Sequence, residues 1–206
     1  MNHRILLAAV ALSLPLMAAA QSWPVRPLRM IVPTAPGGGT DFTGRLVEAK
    51  LSEALGQQVV VENRGGGGGS VGADNAAKST PDGYTLLLGS IATHAVNPAL
   101  YKKLPYDHLK DFAPVSLIGT VPNAMVVHPS VPVKTMQEFI TYAKANPGKI
   151  NYGSSGVGSP PHLSMELLRS MTGINPVHVP YKGAGPALAD LLGGQVQAMC
   201  TSLAGL

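Results

Sequence analysis

Cysteine is all but missing: Cys200 is the only one in 206 residues. One thiol cannot close an internal disulfide, so the fold must rest on an ordinary apolar core and not on the cross-links of a small secreted scaffold. Cys200 lies in the apolar run "VQAMC" and reads as a buried strand position, not as a reactive thiol. Aromatic residues make up only 5% of the chain and charged residues 13%. The basic residues are scattered, without the Lys/Arg clusters of a nucleic-acid footprint, so a nucleic-acid partner is excluded. A formal charge of +4 favours small anionic ligands, though weakly. The pattern G-x-x-x-x-G-K-[ST] does not occur, which removes the phosphate P-loop. Neither a cofactor nor a metal is expected.

Long hydrophobic runs are missing too. The most apolar stretch, Ile5 to Met17, is short and interrupted by Pro15, which makes it a poor membrane span. It follows Arg4 and precedes the small residues Ala18 and Ala20, the layout of a secretory signal peptide cleaved after Ala20. No cysteine near that point offers a lipid anchor. An exported, soluble protein without disulfides suits a bacterial periplasm. The residues after Ala20 suffice for one large or two small domains.

Apolar runs alternate with helical patterns along the rest of the chain. "LRMIVP" reads as a strand, and "TDFTGRLVEAKLSEALG" as an amphipathic helix with Phe42, Leu46, Leu51 and Leu55 near one face. Thr40 or Asp41 can cap its start and Gly56 its end. "QQVVVEN" and "YTLLLGS" read as strands around the short helix "VGADNAAKS", and "HAVNPALY" as a brief helix. After an extended stretch, "APVSLIGTVPNAMVVHP", come the helices "TMQEFITYAKANPG", "PPHLSMELLRSMTG" and "GPALADLLGG". They alternate with the strands "KINYGSS", "NPVHVPY" and "QVQAMCTS". Continuous apolar strands alternating with helices imply an α/β fold with parallel sheets covered by helices. The stretch 113–129, with Pro114, Pro122 and Pro129, is the candidate crossing between two domains, 21–121 and 122–206. The final strand, stopping at "SLAGL" without a polar tail, reads as a chain cut before its fold is complete.

Glycine is plentiful, with 24 residues, five of them consecutive at 65–69. "VENRGGGGGSVGADNAAK" satisfies two motifs at once. Gly67, Gly69 and Gly72 fit the dinucleotide fingerprint, but the next strand ends without the acid that would hold a ribose. Gly68, Ser70 and Gly72 fit the nucleophile elbow of a serine hydrolase, whose histidine would have to come from five loosely spread candidates. Two further glycine loops, "VPTAPGGGTD" and "YGSSGVGSPPHL", each follow a strand and open a helix. In parallel α/β architecture both lie at the ligand-binding edge, where helix N-termini offer N–H groups to an anion. Phosphate or carboxylate fits, and the lack of a basic residue in either loop favours carboxylate. The bland alternative is that both are tight strand–helix turns.

Seven segments occur in order with family-like spacing: "APGGGTD", "VENRGGGGGSVGA", "PDGYTLLLGS", "NPALYKKLPYD", "DFAPVSLIG", "YGSSGVGSPPHLSMELL" and "HVPYKGAGPALADLLGGQV". With these the chain resembles the substrate-binding proteins of tripartite tricarboxylate transporters, the Bug family. The resemblance implies a type II periplasmic binding protein fold, two α/β domains joined by crossing strands that close on a ligand. It implies a non-enzymatic monomer that captures a small carboxylate (a di- or tricarboxylate, aromatic acid or amino acid) and hands it to membrane permease subunits. The alternatives are a ligand-sensing partner of a membrane sensor kinase and a serine hydrolase using Ser70.

Carried over by motif, the ligand loops are Pro36, Gly37, Gly38, Gly39, Thr40 and Asp41, and Ser154, Ser155, Gly156, Gly158 and Ser159. Ser90 and Thr93 are expected at the cleft border. Lys182 either neutralises ligand charge or is solvated, and His162 either donates to ligand or caps its helix. The 65–69 run then reads as a mobile loop beside the cleft, and Asp107 and Asp111 as turn residues. Gly38→Val and Gly156→Val are expected to abolish binding, by blocking backbone approach and forbidding positive φ. Relatives often carry an aromatic residue near Thr34, so this pocket is less capped on that side. They also continue past Leu206 to complete the first domain. The present chain is accordingly expected to leave apolar core exposed there and to be unstable or poorly competent to bind.

Overall fold

The structure is a computed structural model that describes residues 23–205, so the expected signal peptide lies outside the described residues. The first sheet has three parallel strands, β1 (Leu28–Val32), β2 (Val59–Asn63) and β3 (Thr85–Leu87), in the order β2-β1-β3. Leu28 pairs with Val59, and Met30 with Leu86. The central strand is the most apolar, with Leu28, Met30, Ile31 and Val32 all buried, as a strand covered on both faces requires. Helix α1 (Gly39–Leu55) joins β1 to β2, and α2 (Ser70–Ala77) joins β2 to β3. A π-helical turn (Ala92–Val96) and the short α3 (Asn97–Leu100) follow.

The face of α1 departs from expectation. Leu51 and Leu55, with Val47, pack on Leu28, Met30 and Val59, but Phe42 is 50% and Leu46 57% exposed. At about 100° per residue, Gly44, Val47, Leu51 and Leu55 form one stripe, and residues 42 and 46 point the other way. Gly44 rather than a large side chain faces the sheet because Val32 and Leu88 already fill that space. Gly56, at φ 64°, ends the helix as expected. The helix begins on Gly38, with no side-chain cap from Thr40 or Asp41.

Residues 113–122 carry no regular element and are exposed throughout, Val115 at 87% and Leu117 at 82%. Ladder pairing begins only at β4 (Asn123–Val127). The second sheet continues with β5 (Asn151–Ser154), β6 (Val177–Pro180) and β7 (Ala198–Ser202), in the order β4-β7-β5-β6. β5, β6 and β7 run parallel, but β4 pairs antiparallel with β7, Met125 opposite Cys200. The sheets are thus parallel-rich as expected, and the one antiparallel partner, β4, is an edge strand that the chain enters from the crossing stretch and not from a strand–helix–strand unit.

Helices α4 (Met136–Ala145) and α5 (Pro160–Thr172) cover one face of this sheet, and α6 (Ala184–Leu192) the other. The period of two along β7 sorts its residues. Ala198 and Cys200 join Phe139, Ile150, Tyr152, Met165 and Ile174, whereas Met199 joins Ala187, Leu191 and Val196. Cys200 is the buried strand residue expected, and burial pushes its thiol up to about 11. Helix α4 opens on a reciprocal cap: Glu138 N–H donates to Thr135 Oγ1 at 3.2 Å, and Glu138 Oε2 accepts from Lys134 N–H at 2.6 Å. Asp107 and Asp111 close a turn, as expected, through bonds to the N–H groups of residues 107, 109 and 110. No helix among the described residues is long and apolar enough to cross a membrane.

Strand order fixes where ligands can lie. From β1 the chain goes out to β2 and returns past β1 to β3; from β5 it goes to β6 and returns past β5 to β7. Each sheet therefore reverses direction beside one strand, and a crevice opens at that strand's carboxyl end. The loops leaving those two ends are 33–38 and 155–159, two of the glycine-rich segments singled out in the sequence.

Candidate functional site

Four loops meet at one junction: 33–38 after β1, 65–69 after β2, 155–158 after β5 and 181–185 after β6. Ala35 N–H donates to the Lys182 carbonyl at 3.0 Å, tying the first loop to the last. A Cβ on Gly38 would lie 2.8 Å from Ala184 Cβ, and one on Gly183 would lie 2.6 Å from Ala35 N. A Cβ on Gly65 would overlap the Lys182 carbonyl, and one on Gly156 would approach Gly68 N to 3.5 Å. The 65–69 run, expected as a loop beside the cleft, is thus packed between the other loops as a tight turn, with Gly66, Gly67, Gly68 and Gly69 all at positive φ. Ser70 opens α2 and its hydroxyl lies against Gly67; no hydrogen bond among the described residues joins it to a histidine. The elbow reading has no base to work with.

In the first loop the backbone of α1 is prepared for an anion. Gly38 provides no side-chain cap, so the N–H groups of Gly39, Thr40 and Asp41 have no intrahelical acceptor. Asp41 is 4% exposed and braces the loop from below. Its carboxylate accepts from Gly37 N–H at 3.0 Å, from Arg45 Nε at 3.1 Å and from Asn63 Nδ2 at 2.8 Å. Burial pushes the acid's pKa up, but these bonds outweigh it and hold the carboxyl below its usual range. Asp41 is thus an internal strut. Pro36 and Gly37 are exposed, Gly38 and Gly39 are buried, and the half-buried Thr40 has no hydrogen bond to its hydroxyl among the described residues.

The second loop is held by its own side chains. Ser154 Oγ accepts from Gly156 N–H at 3.1 Å and meets His178 Nε2 at 2.6 Å. Ser159 Oγ donates to the Gly156 carbonyl at 2.6 Å, and Gly158 N–H donates to His162 Nδ1 at 3.2 Å. His162 thus accepts at its helix start through Nδ1, and its Nε2 makes no hydrogen bond among the described residues. His178 stacks on Tyr152 at 4.8 Å and lies 4.3 Å from His162. Burial, then the neighbouring His162, lowers its pKa and favours the neutral ring that can accept from Ser154.

Helix α5 offers less than its position promises, because Pro160 and Pro161 have no N–H, leaving only His162 N–H in its first turn. Ser155 is half-buried with an unengaged hydroxyl among the described residues. Gly156, at φ 122°, occupies a conformation closed to other residues, as expected of it. Gly38 has φ −108°, so its requirement is space alone and not positive φ.

Ser90 and Thr93 flank the junction from the end of β3. Thr93 is fully buried and its hydroxyl is spent internally, accepting from Ser90 N–H and donating to the Ser90 carbonyl, both at 3.0 Å. Lys182 is exposed and has no acid partner among the described residues. Sequence reasoning missed three contributors. Ala184 and Gly185 begin α6 against Pro36 and Gly38, and Asn97 is buried beside Gly68. Their signal lay in "PYKGAGPA" and "NPALY", which were noticed only as family marks.

Residues 43–206 match the family described as tripartite tricarboxylate transporter family receptor. The protein BugT of Bordetella pertussis is 44% identical over 195 residues, which are 94% of this chain and 59% of that protein. A solved R. palustris protein with adipate is 42% identical with a TM-score of 0.85, over 88% of this chain and 60% of that one. MatC from Rhodopseudomonas palustris with bound malate is 38% identical with a TM-score of 0.81, over 87% and 61%. The chain thus spans about three fifths of the length of these relatives. The match covers most of the chain, so the chain belongs to the tripartite tricarboxylate transporter receptor family, whose structural neighbours are periplasmic binding proteins.

Proposed function

We propose that this chain captures a small carboxylate in the periplasm and presents it to the membrane permease subunits of a tripartite tricarboxylate-type transporter, without chemistry on the ligand. The observation that carries the reading is the uncapped N-terminus of α1, set at the reversal point of its sheet and facing the loops of the second sheet at bonding distance. Free N–H groups at a helix start, with the positive end of its dipole, bind an anion without a basic side chain. In this reading the two sheets belong to separate domains, 21–121 and 122–206, and Gly37–Thr40, Ser90, Ser155 and Lys182 offer the contacts. Asp41, Thr93, Ser154, Ser159 and His162 shape the loops behind them.

Titration calorimetry with citrate, malate, succinate, adipate, glutamate, terephthalate and nicotinate tests this. One or more acids should bind with 1:1 stoichiometry, and Gly156→Val should remove the heat. Failure of every acid to bind, with the protein folded, contradicts the reading.

A further inference from the structure

Asn97 is fully buried, and its side-chain oxygen has no hydrogen-bond partner. Its orientation is fixed. Nδ2 donates to the Gly68 carbonyl at 3.1 Å, and the amide also lies against the Tyr106 hydroxyl, which itself donates to the Thr93 carbonyl at 2.7 Å. Flipping the amide would set oxygen against the Gly68 carbonyl and strand the nitrogen instead. Oδ1 therefore lies between the 65–69 and 155–158 loops: it is 3.1 Å from where a Cβ on Gly68 would be and 3.3 Å from where one on Gly158 would be. The Val157 carbonyl oxygen lies close to that same position over Gly68. Two oxygen acceptors thus converge where the loops of the two sheets meet, and no donor is supplied among the described residues. Leaving a buried acceptor unmatched is costly, so such a position calls for a donor from outside the chain.

Resting on the carboxylate reading above, we infer that Asn97 Oδ1 is a specificity-determining acceptor, which selects carboxylates carrying a hydroxyl or ammonium group over unsubstituted ones. The carboxylate sits on the N–H groups of the first loop, and the ligand's own O–H or N–H completes Asn97. A ligand without that donor closes the junction over an orphaned oxygen, and a site built around a ligand hydrogen bond rejects the analogue lacking it.

Calorimetry on the wild-type protein with succinate, malate and aspartate tests this, because the three differ chiefly in the group at one carbon. Malate or aspartate should bind at least about tenfold more tightly than succinate. Equal binding of all three overturns the inference while leaving carboxylate capture intact, and would assign the position to a trapped water. Binding of none of the three overturns the inference, and the carboxylate reading falls with it only if every acid of the wider panel also fails to bind. In a folded Asn97→Leu variant, checked by its melting transition, the ratio of malate to succinate affinity should fall to near one, whatever the variant does to affinity as a whole. An unchanged preference in that variant overturns the assignment to Asn97, and should the variant not fold, the wild-type comparison decides.

Discussion

Asp41 shows how an acid in the proposed ligand loop can serve structure. Its carboxylate stays ionised in the fold because Gly37, Arg45 and Asn63 all donate to it. A carboxyl group held below its unfolded pKa stabilises the fold above that value, near pH 3.9, and the contribution is lost as pH falls through the lower folded value. Asp41→Asn should therefore cost about 1–3 kcal/mol at neutral pH, and the difference from wild type should shrink in melts below about pH 4. A constant difference across that range would mean that the charge is not what matters. From sequence alone, "GGGTD" pointed to this loop, yet whether Asp41 faces ligand or protein depends on Asn63 and Arg45. No local pattern relates those residues to it. Asn97 was less legible still, because an orphaned acceptor is defined only by what surrounds it in space.

At the scale of elements, nearly every strand and helix was legible from apolar runs and their punctuation. What failed was orientation. The apolar residues of α1 were grouped correctly at Leu51 and Leu55 but wrongly at Phe42 and Leu46, because glycine at position 44 hid the true inner stripe. The antiparallel β4 was unreadable for a similar reason, since strand direction is decided by the path of the chain and not by side-chain type. The two prolines opening α5 were visible as letters, but their consequence, a helix start almost without donors, depends on where that helix points. Helix α4 offers a clean test of local energetics. Thr135→Ala should lower stability by about 1 kcal/mol through loss of the cap on Glu138, without changing ligand affinity. A ligand affinity that fell with it would tie α4 to the site.

Across the whole molecule, the two sheets touch through backbone. The Ala35–Lys182 hydrogen bond and the approach of Gly183 and Gly185 to residues 35 and 36 leave no room for side chains. On the proposed reading this is the closed arrangement, and ligand favours it by contacting loops from both sheets. Gly185→Val should prevent that approach. The prediction is a loss of carboxylate affinity of at least tenfold, with a radius of gyration from solution scattering that no longer decreases on adding ligand. A variant that still compacts and binds would separate closure from this contact. Residue patterns pointed to the loops one at a time, and the family resemblance implied that two of them face each other; the contacts that join all four appear only in the fold.

The central claim, that a carboxylate is captured on the backbone of these loops, is tested most directly by amide spectra of the glycine-labelled protein, titrated with the tightest-binding acid. The account predicts that shifts concentrate on Gly38 and Gly39, whose N–H groups have no acceptor among the described residues, with smaller ones at Gly37, Gly156, Gly158, Gly65–Gly69 and Gly183–Gly185, and leave Gly56, Gly119 and Gly173 unmoved. Shifts centred on Gly56, Gly119 or Gly173, or none while the acid is bound, would contradict it.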